Sequence, residues 1–106
     1  MADYLTDVKK YSPNADEKAV AGIVKHCGIA LQKRDSSLVS CSDKKERDTV
    51  RDSFLKKKLA LTDAEADLDK AVEVVCQKMK DSHDKHRVTF YYLLAEHYGK
   101  LSLFIK

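Results

Sequence analysis

The clearest pair of residues for acid–base chemistry lies in the stretch RVTFYYLLAEHYG, residues 87–99, where Glu96 and His97 are adjacent. A carboxylate and an imidazole act as general acid and base only when each has a placed neighbour. Adjacent helix positions point about 100° apart, so these two side chains do not face each other. We expect a solvated glutamate, a boundary histidine and no catalytic residue.

A second pair, His83 and His86 in SHDKH, has the i, i+3 spacing at which two ring nitrogens can hold one metal ion. A closed zinc site needs four ligands, and no spacing in the chain indicates the other two. The chain also lacks GxGxxG, a Walker loop, GxSxG, HExxH and CxxC. We expect no metal, no cofactor and no enzymatic activity.

The three cysteines, Cys27, Cys41 and Cys76, are an odd number without CxxC spacing. This pattern favours free thiols in a reducing compartment and therefore a cytoplasmic protein. Cys27 and Cys76 fall on or beside apolar helix faces, where a free cysteine packs as a small hydrophobe. Cys41 precedes a helix start and is near Lys44 and Lys45, and both features lower a thiol pKa. A minor hypothesis is a redox-sensitive regulator that acts through Cys41.

The net charge of +3 is concentrated in one segment, because residues 44–58 carry seven Lys/Arg against three Asp/Glu. Four of these cations recur within a ~60° arc of an α-helix, and they are Lys44, Arg47, Arg51 and Lys58. Such a stripe on the helix 43–58 can bind phosphate backbones, which makes nucleic-acid or polyanion binding one candidate function.

The alternative for this stripe is pairing within the molecule. Arg47 and Arg51 have nearby acids in sequence or on the next helix, namely Asp35, Asp69 and Glu73. Charge runs on helices are usually solvated or internally paired, so we take this as the default interpretation.

The elements that must position these residues are helical. The chain has 106 residues, 43% hydrophobic and 35% charged, with only three glycines and one proline. This length fits one domain, and the shortage of turn residues argues against β-structure. No apolar run approaches the ~18 residues of a membrane span, and the acids near the N-terminus argue against a signal peptide. We predict a single compact all-α domain over residues 1–106, with about five helices and a short extended C-terminal tail.

Apolar spacing and capping patterns predict the helix bounds. The predicted helices are 3–11; 14 to about 33, capped by Asn14 with Glu17; 43–58, capped by Asp43 with Glu46; 62 to about 82, capped by Thr62 with Glu65; and 87–98, ended by Gly99. The tail KLSLFIK alternates apolar and other residues, which is typical of a short strand or a docked strap.

The fifth helix has apolar side chains around most of its circumference and holds four of the eight aromatic rings. One interpretation is a central core helix. The other is that one flank meets a second copy or another protein, through Phe90, Tyr91, Tyr92 and Tyr98 of the helix and Phe104 of the tail. Our first functional hypothesis is therefore a non-enzymatic interaction protein that self-associates or binds a protein partner, which sedimentation at micromolar concentration tests.

Four stretches carry a family resemblance: MADYLTDVKKY, RDSSLVSCSD, ERDTVRDSFLKKKLAL and RVTFYYLLAEHYGKLS. Together they resemble a family of small bacterial proteins of this length that is catalogued only as a domain of unknown function. The resemblance covers nearly the whole chain and implies a compact bacterial cytoplasmic domain that stands alone. It implies no activity and no site residues.

Overall fold

A computed structural model describes residues 4–28, 39, 41, 43–62, 64–80 and 86–104. Five helices and a final 3-10 turn, with no strand, form this part of the chain. They are α1 (Tyr4–Lys9), α2 (Glu17–Cys27), α3 (α-helical over Lys44–Thr49 and π-helical over Val50–Lys58), α4 (Glu65–Lys78), α5 (Arg87–His97) and the 3-10 turn Leu101–Phe104. The all-α prediction is confirmed, whereas Leu101–Phe104 of the tail, predicted to be extended, form a 3-10 turn. No helix in the described ranges is long and apolar enough to cross a membrane.

Helix α5 is the centre of the fold, because every residue from Arg87 to Ala95 is buried. Helices α1, α2 and α4 and the 3-10 turn all pack against it. Each of the covering helices α2 and α4 has one apolar face, built around residues such as Ile23 and Val72, which are almost fully buried. The prediction of a central core helix is therefore confirmed.

Polar side chains attach the N-terminal part of the chain to α5. Thr89 donates a hydrogen bond to Asp7 of α1, and the Asp16 backbone N–H donates to the Tyr92 hydroxyl at 2.9 Å. Ser12 donates to Glu96 at 2.7 Å. Glu96 is therefore half-buried and hydrogen-bonded, not solvated as we expected.

Two of the predicted helix starts are wrong by two residues. Helix α2 is capped by Asp16 in place of Asn14, because the Asp16 carboxylate accepts from the backbone N–H groups of Lys18 and Ala19 at 2.8 and 3.4 Å. Helix α4 has Ala64 at the cap position with no side-chain hydrogen bond, so the predicted Thr62 cap does not form.

The ends of α1, α2 and α4 also differ from the prediction, whereas α3 ends at Lys58 and α5 ends just before Gly99, as predicted. Helix α2 stops at Cys27, because Gly28 has a φ of +40°, and residues 29–33 of its predicted extension lie outside the described residues. Helix α4 ends at Lys78, before the predicted end near residue 82. Gly99 follows α5 with a φ of +66°, as a C-terminal glycine should.

Helix α3 changes its winding halfway along its length. The Asp43 carboxylate caps it as predicted, by accepting from the Lys45 backbone N–H at 2.9 Å. From Val50 onward the helix has the wider π winding, and the Leu59 N–H bonds to the Phe54 carbonyl five residues back, at 2.9 Å. Residues before and after Val50 therefore do not keep the relative angles of an α-helix.

The 3-10 turn docks on α2 at Gly22. A Cβ atom built on Gly22 would lie 2.1 Å from the Phe104 backbone oxygen and 2.8 Å from the Phe104 Cβ. Only a residue without a side chain allows this approach. Gly22 therefore determines how closely the end of the described chain lies against α2.

We predict that Gly22→Ala lowers the free energy of unfolding by about 1–3 kcal/mol, because the turn must move away from the added methyl group. Elsewhere in a helix the same change raises stability by roughly 0.5–1 kcal/mol. Urea unfolding measures the difference. A stabilised Gly22→Ala variant would show that the turn does not need this contact.

Candidate anion-binding groove

The four cations of the predicted stripe do not share one surface. Arg51 turns inward and is only 8% exposed, whereas Lys44 and Lys58 are exposed. The π winding from Val50 onward changes the angle of Lys58 relative to Lys44 and Arg47. A stripe projected with α-helical spacing along the whole segment therefore breaks at its midpoint.

Arg51 is neutralised by carboxylates within the molecule. Its guanidinium contacts four acids at 2.9–3.2 Å, which are Asp48, Asp52, Glu65 and Asp69. The hydrogen bonds to Asp52 and Asp69 raise the pKa of Arg51, and the bond from Arg51 lowers the pKa of Asp52. The internally paired interpretation is thus confirmed for Arg51 and Asp69, and Arg51 is not available to an external anion.

Lys44 and Arg47 line a small cavity of about 130 Å³ between α3 and α4. The other described residues of its wall are Asp48, Asp69, Val72 and Glu73. The Arg47 Nε atom is buried and has no hydrogen-bond partner among the residues that the structure describes. Because three carboxylates face two cations, this cavity does not favour an anion.

Lys58 lies in a different environment, in an open groove of about 300 Å³. The groove is walled by Lys25 and His26 from α2, Lys58 from the end of α3, and Leu103 and Phe104 from the 3-10 turn, with Gly22 at its base. The Lys58 Nζ atom is 5.4 Å from the Phe104 ring centroid, a cation–π distance. Every ionisable side chain among these described residues is basic. We call these residues the basic groove.

His26 packs on the aromatic cluster below the groove. Its ring centroid lies 5.8 Å from that of Phe54, 6.2 Å from Phe104 and 6.3 Å from Tyr91. Partial burial and the nearby charge of Lys58 lower the pKa of His26. Both effects favour the neutral imidazole, and an anion that offsets the charge of Lys58 would favour protonation.

Two of the three basic residues in the groove were missed by the sequence analysis. Lys25 and His26 are more than thirty positions from Lys58 and only meet it through the packing of α2 on the 3-10 turn. Their position in the last turn of α2 was the only local feature that could have indicated them. That feature is not specific, because the helix dipole alone favours cations there.

The five aromatic residues predicted to form a partner interface are mostly covered by the chain itself. Phe90, Tyr91, Tyr92 and Phe104 are 0–6% exposed, and Tyr98 is half-buried. Phe104 alone of the five lines the basic groove. The large apolar residues that do remain exposed, among those described, are Val74 and Leu103.

The prediction of free thiols is wrong for two cysteines. Cys41 and Cys76 form a disulfide between the segment before α3 and helix α4. Cys27 is free and buried, and burial raises its pKa to about 11. Sequence spacing did not indicate the pair, since 35 positions separate its members.

No group of three or more metal-ligating side chains occurs within the ranges that the structure describes. His86 is half-buried, with its ring edge-on to Tyr4 at a centroid distance of 5.8 Å. Its predicted companion His83 lies outside the described residues. His97 is exposed and meets the edge of the Tyr98 ring at 5.0 Å.

Residues 3–102 match a family model described as "Protein of unknown function (DUF2853)". The match spans nearly the entire chain, so the protein belongs to this family. No curated protein matches the chain significantly.

We predict that Arg51→Met lowers the free energy of unfolding by about 1–2 kcal/mol at neutral pH, a modest value because water screens the four half-exposed carboxylates. The hydrogen bond from Arg51 lowers the pKa of Asp52 in the folded protein. This pair therefore stabilises the fold above the unfolded-state pKa of ~3.9, and the stabilisation is lost as the pH falls through the lower pKa of the folded state. The stability difference between the variant and the natural protein should therefore shrink on acidification.

Urea unfolding at about pH 7 and about pH 3 measures this difference. Lys45→Met is the matched control, because Lys45 is exposed on the same helix. A difference of the same size at both pH values would mean that Arg51 stabilises the fold by packing and not by charge.

Proposed function

We propose that this member of the family is a non-enzymatic binding protein that holds the phosphates of a nucleic-acid strand in the basic groove. The observation that carries the proposal is the convergence of Lys25, His26 and Lys58 on one open surface. Among the described residues, neither lysine has a carboxylate partner, so their charges are available to a ligand.

Aromatic side chains next to the groove strengthen the attraction of Lys58 for an anion. The buried rings of Phe54, Tyr91 and Phe104 lie 5.8–6.3 Å from the His26 ring between centroids, and the Phe54 ring stacks on Tyr91 at 4.0 Å. The Phe104 ring, 5.4 Å from the Lys58 Nζ atom, excludes water from one side of this cation and so reduces dielectric screening there. Leu103 is 37% exposed at the wall and offers an apolar contact to a sugar or a base.

The open shape of the groove favours a chain of phosphates over a single enclosed anion. A small-molecule pocket usually surrounds most of its ligand, whereas a groove bounded by three separate elements lets a polymer enter and leave. The mild net charge of +3 argues for moderate, strongly salt-dependent affinity, not for tight binding.

The hypothesis of self-association through the aromatic helix receives less support from the geometry. A second copy could bury little additional area on Phe90, Tyr91 or Tyr92, because α5 is already enclosed. Stable protein interfaces usually bury ~800 Å² per partner around a central apolar anchor. Val74 and Leu103 are the large exposed apolar residues of the described chain, and isolated exposed residues do not make such an anchor.

We predict that Lys58→Gln and Lys25→Gln each weaken the binding of a short single-stranded oligonucleotide. Each substitution should lower the slope of log K against log salt by ~1, since one fewer phosphate is neutralised. Fluorescence anisotropy at several salt concentrations gives both the affinity and the slope.

Lys70→Gln is the matched control, because it removes the same charge from an exposed position on α4. Arg51→Met should also leave the affinity unchanged, since Arg51 is already paired. Equal losses in the Lys58 and Lys70 variants would indicate attraction by net charge alone. The absence of oligonucleotide binding at low salt would refute the proposal, and binding of an acidic peptide in its place would identify a protein partner.

We predict that oligonucleotide affinity rises as the pH falls from about 8 to about 5.5, because a bound phosphate favours protonated His26. The pKa of His26 in the free protein is lowered by burial and by Lys58, so the rise should extend below the ordinary histidine pKa. Phosphodiesters do not titrate in this range. His26→Gln should make the profile flat, and an unchanged profile in that variant would remove His26 from the site.

A further inference from the structure

The disulfide between Cys41 and Cys76 joins two segments whose Cα atoms lie 5.9 Å apart. We propose that these two cysteines are a reversible oxidation site, in which a peroxide forms the bond and a dithiol breaks it while the domain stays folded. The pair would clamp the start of α3 to α4 in the oxidised state and release it in the reduced state. This inference is independent of the anion-binding proposal.

Both members of the pair are reachable from solvent, whereas the third cysteine is not. Cys41 and Cys76 are half-buried, so a small oxidant or reductant can approach them. Cys27 lies in the core with a pKa raised to about 11, which keeps it a protonated, unreactive thiol at neutral pH. Cys27 therefore serves as an internal control for the reactivity of Cys41 and Cys76.

The contact between α3 and α4 does not depend on the disulfide. Arg51 of α3 bonds to Asp69 of α4 at 2.9 Å and to Glu65 at 3.0 Å. The fully buried side chains Phe54 and Leu55 belong to the same core as Leu68 and Val72 of α4. Because these contacts remain after reduction, the two thiols stay close enough to react again.

Oxidation requires two steps and one equivalent of peroxide. A thiolate of the pair attacks a peroxide oxygen, so that an S–O bond forms, the O–O bond breaks and a sulfenic acid and water result. The second thiolate then attacks this sulfur, the S–S bond forms, and the S–O bond breaks to release a second water. The cysteines lose two electrons, which the peroxide takes up together with the thiol protons.

Reduction follows the ordinary route of thiol–disulfide exchange. A dithiol attacks one sulfur to form a mixed disulfide, and its second thiol then resolves that bond. The dithiol leaves as its own disulfide, and both protein thiols are restored.

The test treats the folded, full-length protein with dithiothreitol and then alkylates it without denaturant. Intact mass and peptide mapping should show alkylation at Cys41 and Cys76, with Cys27 labelled only after unfolding. Circular dichroism should show that the reduced protein keeps its helices. Hydrogen peroxide added to the reduced protein should then remove two hydrogens from its mass and link the Cys41 and Cys76 peptides.

Two variants complete the design. Cys27→Ser should behave like the natural protein, whereas Cys76→Ser should leave Cys41 as a sulfenic acid that dimedone traps. If Cys76→Ser does not fold, Cys41→Ser provides the same test with dimedone on Cys76. Resistance of the folded protein to dithiothreitol, unfolding on reduction, or a peroxide-induced bond that involves Cys27 or a second molecule would each overturn the inference.

Discussion

The enclosure of α5 is the constraint on which the rest of the structure depends. A helix with nine consecutive buried residues has no face for water, so the other elements must together supply a complete cover. This cover includes helices α1, α2 and α4 and the 3-10 turn, which all pack against α5. None of them can be displaced without exposing part of α5 to solvent.

Complete burial also places polar side chains of α5 in the core, and those of Arg87, Thr89, Tyr91 and Tyr92 each have a hydrogen-bond partner. Arg87 is the most demanding, because a buried guanidinium is strongly destabilising unless it is paired. It donates to the Tyr91 hydroxyl at 2.9 Å and to Glu46 of α3. Burial alone would lower the pKa of Arg87, but these two partners raise it overall. The central helix is therefore connected to α3 by charge as well as by apolar contact.

The sequence was sufficient to predict the helices that have a strong local signal. Residues close together in sequence predict the apolar surface around α5, its end at Gly99 and the Asp43 cap of α3. All three predictions are confirmed. The capping patterns at Asn14 and Thr62 were misleading. Asp16 is the N-cap of α2, and no side chain caps α4, which begins after Ala64. Local patterns cannot rank competitors that differ by a single hydrogen bond.

The candidate site was less predictable for a physical reason. Arg51 pairs with Glu65 and Asp69 through the packing of α3 on α4, and no local pattern indicated the π winding that displaces Lys58 from the predicted stripe. Likewise, Lys25, Lys58 and Phe104 are brought together by tertiary packing across most of the chain. Sequence reasoning identified Lys58 and Phe104 separately, under two different hypotheses, and the fold places them in one groove.

The docking of the 3-10 turn against Gly22 has a thermodynamic consequence. Phe104 lines the groove and also belongs to the turn that packs against Gly22 of α2. The docked position of this turn therefore matters both for ligand binding and for the packing of the core. A ligand that binds only the docked turn stabilises that docking by RT ln(1 + [L]/Kd), whatever its other effects. Ligand binding in the groove and undocking of the 3-10 turn therefore oppose each other, and proteolytic susceptibility near Phe104 becomes a measure of ligand binding.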